Sequence, residues 1–542
     1  MTRRGLVLVA LPAMLLIVWM GLLRSAPMLW VSLASAAVLA GLLRSTERSG
    51  GAPCPLAVGR WADRAEAGAL MAPGPFLLGL WGELRTPLYL TEERLSGHVL
   101  VVGPSRSGKT AGAIAPNLLL RDPARESIVV LDVKSGPRSL WNVTAGRYGA
   151  RAYLFCPLFE GSIGYNPLAR VESIGGAQRK AALLVQNTTP RGLSGDARVY
   201  AAATADLATL LFLHVQQDRP SGGNTVGAVY RLAMGGPTLL RELLRESRIT
   251  EVRDRHGIFS ARERRVQEAA VTGLLERLAP WADPLVVEAT AHDFDLGQIG
   301  QTPSALYILM PETDGSRLQP IVAWLIADLL DDLVEQSERI GLRCPVRFYL
   351  DEFRQFGYLP GLSEALPTLR ERGISMMLGV QVLSQIEEVY GRVEARTLVG
   401  NTETKLLFRA GDLETARTIS AWMGQTTVPT VSLTTSGRGG QSATISPRVR
   451  PLMPPEELTR MPDGAVIALA GSSPPLPLWQ ARYFAIPGFV VPTPPFPLRR
   501  RAEPPLAIVP PGPSKTAARR PAPRPAGGVS VRPSIGGTRM KT

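Results

Sequence analysis

Residues 98–110 read HVLVVGPSRSGKT, an apolar β-branched run that breaks into a loop with the spacing G-x-x-x-x-G-K-[ST]. This is the Walker A pattern. Glycines let the backbone curl so that successive N–H groups point at phosphate oxygens, and the following helix adds the positive end of its dipole. Gly103, Pro104, Ser105, Arg106, Ser107, Gly108, Lys109 and Thr110 are therefore the candidate residues for holding ATP. Lys109 is expected to reach the β- and γ-phosphates, and Thr110 to ligate Mg²⁺. The chain has 53 glycines but only six lysines, so a chance match has odds of roughly one in a hundred. AGAIAPNLLL, residues 111–120, suits the helix, with Pro116 expected to distort or shorten it.

Further apolar runs supply the sheet that such a loop needs. SIVVLD (127–132), GARAYLFCP (149–157), SALYILMP (304–311), VRFYLDE (346–352), ISMMLGVQ (374–381) and TKLLFRAG (404–411) read as buried strands. Residues 176–300 show helical periodicity instead and few strand signals. A parallel sheet interrupted by a helical domain is the simplest architecture. VRFYLDE is an apolar strand ending in two acids, the Walker B pattern. Asp351 suits the metal shell and Glu352 the polarisation of an attacking water. Strands often end in Asp or Glu, so this pattern becomes specific only through the loop upstream.

Three further readings stay open on the residues alone. Gln381 ends the ISMMLGVQ strand and either positions water or is a surface glutamine. Arg370 and Arg372 in TLRERG are candidates for an arginine finger in a neighbouring subunit's site, against the ordinary solvated role of helix arginines. Asp132 and Lys134 in LDVKSG either form a structural ion pair or contact nucleotide.

The ends of the chain differ from its middle. Net charge is +14, of which residues 1–60 carry +5 and residues 499–542 carry +9, leaving residues 61–498 near neutral. The basic pI therefore gives no argument that the central part binds nucleic acid. Residues 5–23 and 26–43 are uncharged and apolar, each near the minimum for a membrane span. Arg3, Arg4, Arg44 and Arg48 flank the pair, with Arg24 alone between, so both termini are expected on the cytoplasmic side of a bacterial inner membrane. The competing reading, a cleaved signal peptide, would export an ATP site to where ATP is scarce, and the second apolar segment argues for anchoring. Three cysteines and four histidines are scattered, with no disulfide framework and no ligand cluster. The expected organisation is two transmembrane helices (1–45), a connector with a small strand unit (46–95), a nucleotide-binding domain (96–175 and 301–484) split by an all-α insertion (176–300), and a disordered basic tail (485–542).

Taken together the chain resembles the type IV secretion coupling proteins, membrane-anchored ATPases of bacterial conjugation. The resemblance runs from about Arg60 to Tyr483 through GRWADRAE (59–66), HVLVVGPSRSGKTAGAIAPNLL (98–119), VVLDVKSG (129–136), TAGRYGARAYLFCP (144–157), YNPLAR (165–170), YLDEFRQFGYLPGL (349–362), GVQVLSQIEEVYG (379–391), GNTETKLLF (400–408), DLETARTISAWMG (412–424) and PLMPPEELTRMPDGAVIALAG (451–471). It implies a RecA-like α/β P-loop NTPase with an inserted all-α domain, assembled as a hexamer. It implies ATP-driven delivery of single-stranded DNA with its relaxase, or of protein effectors, to type IV secretion channel components. By motif, Gln381 matches the family's glutamine, and Arg370 lies where such proteins place a candidate finger. The chain departs at DVKSGPRS, where the family has D-x-K-G-E, and in the shorter loop between its apolar segments. The other readings are a docking platform in which nucleotide is structural, a small-molecule kinase, and a double-stranded DNA pump.

Overall fold

The computed structural model describes residues 59–91, 97–189, 194–435 and 441–502. The proposed membrane segments and most of the basic tail lie outside the described residues.

Thirteen strands are described. They are β1 (Phe76–Trp81), β2 (Thr86–Leu90), β3 (Val99–Val102), β4 (Ser127–Asp132), β5 (Ala152–Phe155), β6 (Ala305–Leu309), β7 (Val346–Leu350), β8 (Ile374–Val380), β9 (Thr404–Leu407), β10 (Gln425–Thr435), β11 (Gln441–Pro451), β12 (Ala465–Ala470) and β13 (Leu476–Trp479). Eleven form one sheet in the order β2-β1-β13-β12-β9-β3-β8-β7-β4-β6-β5. From β9 to β5 every pairing is parallel, and from β12 to β2 every pairing is antiparallel. Every residue of β3, β4, β6, β7 and β8 is buried, as expected of parallel strands covered on both faces. That is why these strands read as continuous apolar runs rather than as alternation. The long helix Gly315–Arg339 connects β6 to β7 and buries Trp324, Leu325 and Leu329.

The six strands read from the sequence are all present. The helix after the loop opens as a π-turn, Thr110–Ile114, and becomes α-helical at Ala115–Leu119 with Pro116 in its first turn. Proline cannot donate the ladder bond there, so the wider turn absorbs the missing N–H. Between β5 and β6 the described chain contains only helices, the largest being Ile174–Thr188, Asp196–His214 and Arg264–Arg277. These are tied to the sheet's own helix by buried charge: Lys180 pairs with Asp328, whose other oxygen accepts from Tyr165 Oη at 2.6 Å. Among the described residues one helical stretch, Asp196–Ser221, is long and apolar enough to cross a membrane, and 61% of its apolar window is buried inside the protein.

Two expected boundaries move. Residues 76–90, placed in a connector, form β1 and β2 and complete the main sheet. The segment after Phe484, expected to be disordered, runs as an ordered strap to residue 502. Phe496 seats on Trp141 (ring centroids 4.8 Å apart) and its carbonyl accepts from Trp141 Nε1 at 3.0 Å. Glu160 N donates to Arg499 O at 2.9 Å, and Arg500 Nη1 reaches Asp314 at 3.1 Å. Proline-rich composition predicts the absence of a ladder here, but a few aromatic and charged anchors suffice to fix an extended chain. The strand reading omits the ribbon β10–β11 and β13, where Thr, Ser and Pro interrupt the apolar pattern, and β12, a short alanine-rich run, AVIALA.

Candidate nucleotide and metal site

The loop after β3 opens at the carboxyl end of the parallel strands, where open α/β sheets bind ligands. It lines a cleft of about 800 Å³ together with Lys134, Glu352, Gln381 and the segment Arg482–Phe484. Arg106 and Gly108 adopt left-handed backbone, φ +64° and +97°. A Cβ at Gly108 would also lie 2.3 Å from Gln480 Oε1, so the Gln480 side chain would have to shift. Lys109 is 5% exposed and folds back, Nζ donating to the carbonyls of Gly103 (2.5 Å) and Pro104 (3.3 Å). Burial pushes its ammonium below the ordinary lysine range, while the charges of Glu352 and Asp351 oppose the shift.

Asp351 directly follows β7 and is 1% exposed. Thr110 Oγ1 donates to its Oδ2 at 2.7 Å, so the two residues expected to ligate metal touch across 241 positions of sequence. They do so although β8 separates β7 from β3 in the sheet. Gly379 makes the close passage possible: a Cβ there would meet Asp351 O at 2.4 Å. Asp351 Oδ1 is buried with no hydrogen-bond partner. A hydroxyl beside a carboxylate with an orphaned oxygen is a hard donor set that fits Mg²⁺. Among the described residues no cluster of His, Cys, Asp and Glu suits another metal.

Glu352 lies one residue on, and Gln381 Nε2 donates to its two carboxylate oxygens at 3.3 and 3.4 Å. Burial lifts the Glu352 carboxyl above its ordinary range, with the Asp351 charge adding to it and Lys109 opposing it. The Asp132–Lys134 pair resolves into two roles. Asp132 is buried and accepts the backbone N–H groups of Lys134 (3.0 Å) and Leu140 (2.6 Å), so it fixes the turn after β4. Burial, then the nearby charge of Asp351, raises its carboxyl to about 7. The Lys134 side chain turns away from it, Nζ donating to Thr110 Oγ1 at 2.9 Å and lying 3.4 Å from Asp351 Oδ2.

Arg370 is not in this cleft. It precedes β8, at the opposite end of the strand from Gln381, and pairs with Glu403 at 2.8 Å. Arg372 pairs with Glu338 at 2.6 Å. Sequence reasoning missed Gln480, Arg482 and Tyr483. Gln480 Nε2 donates to Ser107 O at 2.8 Å, Arg482 Nε donates to Gln480 Oε1 at 3.1 Å, and Tyr483 N donates to Ala111 O at 3.1 Å. No local pattern marks them; only the tertiary approach of the chain after β13 brings them under the loop.

Comparison with known proteins agrees with this geometry. The chain is 26% identical to the VirD4 protein of Rhizobium rhizogenes over 447 residues, covering 79% of this chain and 65% of the relative. It is 30% identical to the conjugal transfer protein TraG of Escherichia coli over 404 residues, covering 67% of this chain and 62% of the relative. The chain thus spans slightly under two thirds of these relatives' own length. The bacterial conjugative coupling protein TrwB, in an unbound form lacking its N-terminal segment, superposes with a TM-score of 0.63 at 19% identity, covering 83% of this chain and 98% of that one. That likeness shows the fold alone, an α/β sheet with a mostly parallel core. Further TrwB structures hold ADP with Mg²⁺ or a non-hydrolysable ATP analogue. The sequence profile described as type IV secretory system conjugative DNA transfer matches residues 73–500, and the chain belongs to that family.

Proposed function

We propose that this chain is a membrane-anchored ATPase that drives single-stranded DNA, with its attached relaxase, into a type IV secretion channel. The observation that carries the reading is the convergence of Lys109, Thr110, Asp351, Glu352 and Gln381 on one cleft, with Thr110 and Asp351 in contact. The loop's N–H groups and Lys109 would hold the phosphates of ATP, and Thr110 and Asp351 would hold Mg²⁺. The bound metal would supply positive charge against the phosphate oxygens. Lys109 has only loop carbonyls to leave when phosphate arrives. Glu352, desolvated and oriented by Gln381, is suited to take a proton from water.

Family membership supports the rest of the proposal. Residues 176–300 form an inserted all-α domain, residues 1–45 anchor the chain in the inner membrane with both termini cytoplasmic, and six copies assemble around a channel. Arg370, remote from its own cleft, would act in a neighbour's site after leaving Glu403. A docking platform that never hydrolyses nucleotide is the alternative, and the Glu352–Gln381 pair argues against it, since a structural nucleotide needs no oriented base.

The test is ATP turnover by the full chain in detergent, with and without single-stranded DNA, beside Lys109→Ala. Turnover raised by DNA and lost in the variant is expected. Nucleotide binding with no turnover in any condition would overturn the motor and leave the platform.

A further inference from the structure

Lys134 occupies a position that the phosphate and metal chemistry above leaves unassigned. Its ammonium lies 2.9 Å from Thr110 Oγ1 and 3.4 Å from Asp351 Oδ2, beside the hydroxyl and carboxylate fitted to Mg²⁺, while Asp351 Oδ1 has no partner. Its backbone is pinned, because Lys134 N donates to the buried Asp132. Its side chain is 45% exposed whereas that of Asp351 is 2% exposed. A fixed main chain with a half-exposed four-carbon arm lets the charge leave without any change in the turn. Lys134 also lines the phosphate cleft, so a displaced ammonium remains inside it.

We propose that Lys134 is a tethered counter-cation of the metal site, neutralising Asp351 and holding the Thr110–Asp351 pair closed until a divalent cation displaces it. The inference rests on the metal reading above. A divalent cation held by Thr110 Oγ1 and the Asp351 carboxylate would lie within a few ångströms of this ammonium, and like charges that close repel, so ammonium and metal compete, and removing the ammonium tightens metal binding. The arm's charge then becomes available to phosphate, which makes Lys134 a positioning residue for nucleotide as well.

The experiment measures Mn²⁺ binding to the full chain in detergent, without nucleotide, by the paramagnetic signal of the free ion. Lys134→Ala is expected to bind Mn²⁺ on the order of tenfold more tightly than the wild type, with Lys134→Arg close to wild type and Asp351→Asn losing the site. In parallel, binding of a fluorescent ATP analogue is followed against Mg²⁺ concentration, and the half-saturating Mg²⁺ is expected to fall in Lys134→Ala by a similar factor. Mn²⁺ affinity that is unchanged or weaker in Lys134→Ala overturns the proposal, as does Mn²⁺ binding undetectable in both proteins. Failure of the nucleotide reading shows separately, as wild type and Lys109→Ala binding the analogue equally poorly, while the Mn²⁺ comparison still reports on Lys134.

Discussion

Gln480→Ala should loosen the phosphate loop without touching any residue expected to contact nucleotide. The Gln480 amide donates to the buried carbonyl of Ser107 at 2.8 Å and accepts from Arg482 at 3.1 Å, while Arg482 is held in turn by Asp463. Truncation leaves the Ser107 carbonyl without its donor, at a cost of about 1–3 kcal/mol. Much of that cost falls on the loop's ordered form, so nucleotide affinity should drop by about tenfold, the equivalent of 1.4 kcal/mol. Equilibrium binding of a fluorescent ATP analogue to the full chain reads the effect, with the melting temperature as the control for folding. A second variant isolates the contact. Gly108→Ala introduces a Cβ 2.3 Å from Gln480 Oε1 at φ +97°, and should weaken binding more than Gln480→Ala does. In Gly108→Ala/Gln480→Ala the clash is gone and only backbone strain of about 1–3 kcal/mol remains, so part of the affinity returns. Gln480→Ala affinity within twofold of wild type, or a double variant no better than Gly108→Ala, would refute the reasoning.

Glu352→Gln should retain nucleotide binding and lose turnover by at least about a hundredfold, since it keeps the shape and removes the base; parallel binding and phosphate-release assays check this. Gln381→Ala, which frees the Glu352 carboxylate from its 3.3 Å partner, should lower turnover less while leaving affinity near wild type. Asp328→Ala strands the buried Lys180 and removes the acceptor of Tyr165, so it should destabilise the chain by about 3–5 kcal/mol, seen as a large drop in melting temperature. Asp132 gives a pH signature. Its folded carboxyl titrates at about 7, above the unfolded value, so between these the native state holds a proton that the unfolded state has released, and stability falls as pH rises through that window. Asp132→Asn should therefore gain melting temperature relative to wild type at pH 8 compared with pH 5, and an identical difference at both would sink the assignment.

The parallel half of the sheet was legible because strands buried on both faces must be apolar throughout, and the phosphate loop was legible because its glycines and lysine are dictated by geometry. What could not be read was adjacency. Nothing in LDVKSG says that Lys134 turns toward Thr110 while Asp132 turns back to the main chain, because that depends on β4 standing beside β7. Gln480 is invisible for a similar reason: it follows a short strand interrupted by proline, 373 residues from the loop it supports. The arginines of TLRERG show the reverse case. Their pattern suggested chemistry, but within one subunit they close ion pairs at the far end of the strands.

The strap after β13 has a mechanical consequence. It touches the phosphate loop at Gln480 and Tyr483, then crosses to Trp141, Asp314 and Leu158 before the basic residues beyond 502 begin. A load hung on those basic residues is taken up first where Arg501 N bonds Leu158 O, Arg500 grips Asp314 and Phe496 seats on Trp141. The chain thus carries its own strain relief: a pull from beyond residue 502 meets these anchors before it reaches the loop.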